Sequence, residues 1–160
     1  MNVLLMLLGV LIVYIAVKLV YRYNWNKNLT VSLEFDKKHV VKDDIVNITE
    51  VVTNAKRLPL PCINLKFQAA RELLFTGSDT NSSVSDKTYR NDVFSLLSNQ
   101  RITRKVPVRC TRRGVYRISG LEIVFSGLFM NEINVLKTDN NCEITVYPKP
   151  ADPTVLKPVN

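Results

Sequence analysis

The stretch that decides the fold is RITRKVPVRCTRRGVYRISGLEIVFS, residues 101–126. Its first ten residues alternate between two sides. Apolar residues on one side are Ile102, Val106, Val108 and Cys110; the other side carries Arg101, Thr103, Lys105, Pro107 and Arg109. A period of two is typical of a half-buried β-strand, so residues 101–110 are predicted to be one. Arg104 is the one charged residue on the apolar side.

The segment TRRG, residues 111–114, has the composition of a turn, because Gly114 is free to adopt a positive φ. Gly114 and Tyr116 are the residues expected to shape this turn. Apolar runs follow at residues 115–118 and 121–125, separated by Ser119 and Gly120. The pattern predicts that the turn joins two antiparallel strands and that the runs after it belong to the core.

Strand-like alternation extends in both directions from this stretch, over residues 29–35, 45–53, 63–69, 133–136 and 143–147. Polar connections are predicted at DKKHVVKDD (36–44), at KTDNN (137–141) and at TGSDTNSSVSDK (76–87), the last as a flexible loop. NAKRLPLP (54–61) is a crossing loop or strand edge, because its two prolines lack a backbone N–H. Seven to nine short strands over residues 28–147 indicate an all-β fold, an immunoglobulin-like antiparallel β-sandwich.

Residues 3–21 form an uncharged apolar run except for Lys18, about 28 Å long as a helix and enough to span a bilayer. Tyr21, Tyr23 and Trp25 follow, where an interfacial aromatic belt is expected. A cleaved signal peptide is the first alternative, but a basic leading region and a small-residue cleavage site are both missing. A buried core helix would rarely be apolar on every side. One N-terminal transmembrane helix is therefore predicted to precede the sandwich.

The predicted domains are an anchor with an interfacial segment (1–27), a β-sandwich (28–148) and a linker or truncated start of a further domain (149–160). Cations such as Lys18, Arg22 and Lys27 lie on the C-terminal side of the helix and favour a cytoplasmic sandwich on a single-pass cell-membrane protein. Three N-x-[ST] tripeptides, at Asn28, Asn47 and Asn81, point the opposite way. The charge asymmetry carries more weight here.

The net charge of +8 is concentrated in one region, because residues 101–117 hold seven of the 22 Lys and Arg and no acid. The predicted interaction surface consists of Arg101, Lys105, Arg109, Arg112 and Arg113. An anionic lipid or an acidic patch on a partner would suit these cations. Nucleic acid is not expected, because Tyr116 is the one aromatic among them. The alternative is a solvated strand pair neutralised by acids such as Glu122 and Asp86.

Sequence motifs for catalysis, cofactors or metals are missing. His39 is the single histidine, Asp43 and Asp44 read as turn residues, and the five glycines form no phosphate-binding cluster. Ser126 lies in FSGLF, which is not the nucleophile elbow of hydrolases. The three cysteines match no zinc spacing and are expected to be reduced, although one bridge with a third free thiol stays open. Catalytic residues, cofactors and metal ligands are therefore not predicted.

The order of NAKRLPLP, DVFSLLSNQRITRKVPVRCTRRGVYRI, LFM and ITVYPKP resembles the N-terminal half of the bacterial family called domain of unknown function 58. Thr111 to Tyr116 is the most specific piece. The resemblance implies a membrane anchor and a β-sandwich, followed in that family by a von Willebrand factor A-like domain, whose signature is missing here. It also implies MoxR-type ATPases or von Willebrand A-like proteins as partners.

The function expected from the sequence is that of a membrane-anchored, non-catalytic β-sandwich. Such a module would serve for protein interaction or as a spacer in a larger membrane-associated assembly. The alternative is a regulatory or anchoring fragment of an enzyme or chaperone-like complex whose active part lies downstream or in another subunit.

Overall fold

The computed structural model describes residues 2–76, 82–84, 87–127 and 133–150. One helix, α1, spans Asn2–Asn24, and every other regular element of the described residues is a strand. The strands are β1 Leu29–Phe35, β2 His39–Val41, β3 Ile45–Asn54, β4 Leu60–Ala70, β5 Leu73–Phe75, β6 Ser82–Val84, β7 Lys87–Leu96, β8 Gln100–Cys110, β9 Gly114–Ile118, β10 Leu121–Ser126, β11 Ile133–Thr138 and β12 Cys142–Tyr147.

The strands form three sheets, in the orders β1-β3-β8-β5, β11-β10-β4-β7-β6 and β2-β12-β9. All pairs are antiparallel except the short parallel pair β2–β12. Alternate residues of the long strands face inward, so β3 buries Val46, Ile48 and Val52, and β8 buries Val106, Val108 and Cys110. The prediction of an immunoglobulin-like antiparallel sandwich with one N-terminal apolar helix is confirmed.

The two ends of the sandwich differ in what they carry. The β3–β8 pair runs from Asn54 opposite Gln100 to Ile45 opposite Arg109. Asn54 is also opposite Leu29, shortly after the helix, so this is the helix end. At the opposite end, Asp43 N donates to Cys110 O and Thr111 N donates to Glu72 O. We call this second end, formed by residues 36–38, 42–44, 71–72 and 109–113, the far end.

The helix is packed onto the sandwich through its last turn and the residue that follows it. Trp25 is only 6% exposed, and its ring stacks on Phe125 with centroids 5.6 Å apart. Tyr21 stacks on the same Phe125 ring at 6.1 Å. Lys56 Nζ donates to Trp25 O and, at 2.8 Å, to Lys27 O, so its ammonium satisfies carbonyls that follow the helix. Burial lowers the Lys56 pKa to about 8.

The prediction that Trp25 lies in an interfacial belt is therefore wrong: Trp25 is part of the sandwich core. Tyr23, in contrast, is 66% exposed. Tryptophan suits both an interfacial belt and a buried core contact, because an indole offers a large apolar face and a single N–H.

The prediction that TRRG joins two paired strands is also wrong. β8 belongs to the β1-β3-β8-β5 sheet, whereas β9 pairs with β12 in a different sheet. Residues 111–113 thus cross between sheets, held by the Thr111 N–H and hydroxyl, which both donate to Glu72 O. A turn composition predicts a change of direction, but it does not determine which strand the chain pairs with afterwards.

The strand count was underestimated, since twelve strands occur among the described residues. β2 lies inside the segment 36–44 that was predicted to be a connection. The predicted flexible loop at 76–87 falls largely outside the described residues, but its described part contains β6. β4 begins at Leu60 inside NAKRLPLP, and its pairing with β7 shifts register between Leu60 and Ile63, around Pro61. The LFM motif lies outside the described residues.

Candidate interaction surface

The five predicted cations do not form one edge; they divide between a strand face and the far end. Arg101, Lys105 and Arg109 all point outward from β8 and are exposed. A strand rises about 3.3 Å per residue, so Arg101 and Arg109 are about 27 Å apart along β8. Arg101 lies near the helix end, whereas Arg109 lies at the far end together with Arg112 and Arg113.

The crossing segment that carries Arg112 and Arg113 is held by Tyr116. The Tyr116 hydroxyl donates to Arg112 O at 2.8 Å, and its ring lies over Gly114. Gly114 has φ +155°, and a Cβ there would lie 3.4 Å from the Tyr116 ring. Gly114 and Tyr116 therefore fix the backbone from which the two arginine side chains extend into solvent.

Most of these cations have no acidic partner among the described residues. Arg109 Nη2 lies 3.6 Å from Asp43 Oδ1, and both side chains are about half exposed. Within the described residues, Arg101, Lys105, Arg112 and Arg113 make no ion pair. Glu122, which was considered as a neutralising acid, lies on β10 and pairs with Lys137 at 3.1 Å. Asp86 lies outside the described residues.

The far end carries further charges from other turns. Its remaining cations are Lys37, Lys38, Lys42 and Arg71, and its acids are Asp36, Asp43, Asp44 and Glu72. Two of these acids are used locally, since Asp44 Oδ2 accepts from Val41 N and Asp36 accepts from the backbone and side-chain amides of Asn47. Cations outnumber acids there, so the far end presents net positive charge.

A buried charge cluster lies between the sheets and was not predicted, although Arg104 had stood out as the exception on the apolar side of β8. Arg104 Nη1 donates to Asp92 Oδ1 at 3.0 Å, and its guanidinium lies 4.6 Å from the centre of the Phe94 ring. Arg90 donates to both oxygens of Asp92 through Nε and Nη2. Its guanidinium lies 5.0 Å from the centre of the Phe75 ring.

Glu50 is the fourth member of this cluster and is fully buried. Burial, and then the negative charge of Asp92, raise the Glu50 pKa to about 8, against a smaller opposing effect of Arg90 and Arg104. Near neutral pH the protonated form of Glu50 is therefore favoured. Arg90, Arg104 and Asp92 then give the cluster a net charge of +1 where it cross-links β3, β7 and β8. Its arginines occupy the space around Asp92, which suits a structural role better than cation binding.

The other residues considered for catalysis or metal binding are His39 and the three cysteines. His39 is exposed, with its ring 5.9 Å from that of Tyr147. The three cysteines are free thiols, and burial raises the pKa of the Cys110 and Cys142 thiols, the latter to about 11. The expectation of three reduced thiols is met, and Cys62 is partly exposed. Across the described ranges, no three His, Cys, Asp or Glu side chains group as metal ligands would.

The outer face of the five-stranded sheet carries a wide, open depression of about 910 Å³. Its lining includes Lys66, Gln68, Tyr89, Asn91, Glu122 and Lys137. Charges of both signs are mixed there and Glu122 is already paired with Lys137, so this face is less suited than the far end to a partner of one charge.

Known proteins resemble this chain in fold rather than in sequence. No family model and no curated protein match it. The CARDB domain of a Pyrococcus furiosus protein, in complex with di-metal ions, has a TM-score of 0.51 at 13% identity, covering 77% of this chain and 97% of that domain. The cohesin module of a Clostridium perfringens family 33 glycoside hydrolase has a TM-score of 0.50 at 13% identity, covering 76% of this chain and 97% of that module. At this identity the likenesses establish the sandwich fold.

Proposed function

We propose that this chain is a membrane-anchored, non-catalytic β-sandwich that binds an acidic protein partner with its far end, as part of a larger membrane-associated assembly. The carrying observation is the joint between helix and sandwich. Tyr21 and Trp25 stack on a core phenylalanine, which couples the anchor rigidly to the domain that presents the cations.

The surroundings of the helix support the anchor. α1 is long and apolar enough to cross a membrane, and its apolar span is unburied by the rest of the chain. Residues such as Leu4, Met6 and Val10 are 64–75% exposed, which water disfavours and a bilayer accommodates. A cleaved signal peptide would not be expected to pack onto the domain it delivers, as Tyr21 does onto Phe125.

The position of the cations favours a protein partner over the membrane lipid. Electrostatic attraction is screened beyond about 10 Å at 0.1 M salt. Arg109, Arg112 and Arg113 lie about 27 Å of strand beyond Arg101 and the helix end. Their charge therefore faces away from the bilayer that would hold the helix, toward the space where another protein of the assembly would be.

Both structural neighbours are a domain or module of a larger protein. The resemblance to the domain of unknown function 58 family adds MoxR-type ATPases and von Willebrand A-like proteins as candidate partners. A fragment that anchors or regulates an enzyme or chaperone-like complex is the second candidate function, and it uses the same joint.

The cation asymmetry around the helix supports a cytoplasmic location of the sandwich. An exposed turn residue, Asn141, gives a test when replaced by cysteine in a Cys62→Ser background. A membrane-impermeant maleimide should label it in opened cells and not in intact ones. Labelling in intact cells would place the sandwich outside.

Partner binding is tested by the size of the assembly in mild detergent extracts of the native membrane. Wild-type chain should sediment in a complex, and Arg112→Ser/Arg113→Ser should sediment as the lone chain. Arg57→Ser/Lys66→Ser removes the same charge from exposed positions elsewhere and should behave as wild type. Two results would overturn the proposal. One is a far-end variant that sediments in a complex as large as that of wild type, and the other is a wild-type chain that sediments alone.

A further inference from the structure

We propose that the open edge of β8 binds an extended acidic segment of a partner protein as an added β-strand. The open edge is the side of residues 100–106 that faces away from β3. The proposal deepens the proposed function, because it rests on a protein partner and specifies a mode of contact at a second surface.

Among the described residues, the edge is left open because β5 is short. β5 pairs with β8 over residues 108–110, and Thr76 N donates to Pro107 O just beyond. Over residues 100–106, no described residue pairs with β8 on this side. The opposite edge of the same sheet is partly closed, since Asn140 Nδ2 donates to Leu33 O of β1.

The pairing pattern determines which backbone groups point to the open edge. Ala55 N donates to Asn28 O and Asp36 N donates to Asn47 O, so the odd-numbered residues of β3 bond with β1. Its even-numbered residues therefore bond with β8, where they lie opposite even-numbered residues. The N–H and C=O groups of Arg101, Thr103 and Lys105 consequently face the open edge, in line with Pro107 O, which already accepts from Thr76 N.

The same three residues direct their side chains to the exposed outer face of the sheet. Side chains of directly opposite residues on neighbouring strands lie about 5 Å apart, and opposite charges there stabilise pairing. A strand added antiparallel to β8 would place two residues, four positions apart, opposite Lys105 and Arg101. Glutamate or aspartate at those two positions fits the edge.

A second copy of this chain is disfavoured by the same charges. If two β8 edges paired about Thr103, Arg101 of one copy would lie opposite Lys105 of the other. Like charges in directly opposite positions destabilise strand pairing, and charged edges protect sheets against self-association. The charges of Arg101 and Lys105 therefore disfavour pairing with a second copy of this edge and favour pairing with an acidic strand.

The test uses the full chain in nanodiscs of zwitterionic lipid, with a fluorescent peptide that contains glutamate-valine-threonine-valine-glutamate. Binding is measured by anisotropy. The expected result is binding that is lost when alternate peptide nitrogens are methylated, because these can no longer donate to the edge. Replacing both glutamates by glutamine should weaken binding roughly 2- to 30-fold, the effect of two opposite-charge cross-strand pairs.

Two variants of the chain test the location. Thr103→Pro removes an N–H that points away from β3, a position where proline is tolerated, and should abolish binding. Arg101→Ser/Lys105→Ser keeps the backbone donors and should weaken binding as the glutamine peptide does. Hydrogen exchange at the amides of Arg101, Thr103 and Lys105 should slow when the peptide binds.

Three outcomes would overturn the inference: no binding, equal binding of the methylated peptide, or binding that only Arg112→Ser/Arg113→Ser removes. The last result would leave the proposed function standing with the far end as the peptide site. Loss of the native assembly in Arg112→Ser/Arg113→Ser alongside intact peptide binding at β8 would separate the two surfaces. If every variant kept the native assembly while the peptide still bound at β8, the proposed function would be contradicted and the inference about β8 would stand.

Discussion

The buried carboxyl group of Glu50 makes the stability of the fold depend on pH. Its pKa in the folded protein is about 8, above the ordinary value of 4.5 that it regains on unfolding. Between these pH values the folded state holds a proton that the unfolded state has released. The contribution of Glu50 to the free energy of unfolding is therefore present below about pH 4.5 and is lost as pH rises through about 8.

Glu50→Gln should remove this pH dependence, because an amide replaces the neutral acid and still can donate to Asp92. We expect the variant to be more stable than wild type at about pH 9 and to lose less stability between about pH 5 and about pH 9. Urea unfolding followed by circular dichroism in micelles measures this. Identical pH profiles for the two proteins would show that Glu50 does not titrate in this range.

At Gly114 the backbone conformation makes any side chain destabilising. Gly114→Val should destabilise the sandwich by roughly 1–3 kcal/mol, because a β-branched residue must adopt φ +155° against the Tyr116 ring. The urea midpoint of the full chain measures it, with the exposed neighbour Val115→Thr as a control that should not change. A midpoint unchanged by Gly114→Val would mean that the position carries no strain.

Among the elements, β8 was predictable and β7 was not, for one physical reason. The inward positions of β8 are mainly apolar, so its period of two is visible in the sequence. β7 instead buries Thr88, Arg90 and Asp92 before Phe94 and Leu96, so polar residues face the core over its first half. Apolar periodicity does not detect a strand whose buried side chains include charged residues that form ion pairs with one another.

The helix could be predicted as an element, but its attachment to the sandwich could not. Composition reports that residues 3–21 are apolar, whereas the Trp25–Phe125 stack joins residues 100 positions apart in the sequence. The five cations were likewise identified as exposed residues, but their division between β8 and the far end depends on strand register. Local sequence carries no information about such distant pairings.

Trp25→Ala should destabilise the sandwich by about 3–5 kcal/mol, the usual cost of deleting a large buried aromatic side chain. Tyr23→Ala, two residues away and 66% exposed, is the matched control and should leave the urea midpoint unchanged. The tyrosine emission or circular dichroism of the full chain in micelles reports the transition. Equal effects of the two substitutions would return Trp25 to an interfacial role and separate the helix from the core.

At the scale of the whole molecule, the proposed function has a membrane helix at one end of a sandwich and a net positive surface at the other. β8 alone spans about 33 Å from the helix end to the far end at about 3.3 Å per residue. The lipid surface and the partner surface are thereby separated by more than the range of electrostatic attraction at physiological salt. In the proposed function, this separation would let the far end bind a protein while the helix stays anchored.

The distance between the far end and the bilayer tests this arrangement most directly. A donor dye on Lys42→Cys in a Cys62→Ser background marks the far end, and Ser98→Cys in the same background marks the helix end. Energy transfer to acceptor-labelled headgroups in nanodiscs containing anionic lipid should be strong from Ser98 and weak from Lys42, which we expect about 30–40 Å from the headgroups. Equally strong transfer from both positions would show the far end lying on lipid and would contradict the account.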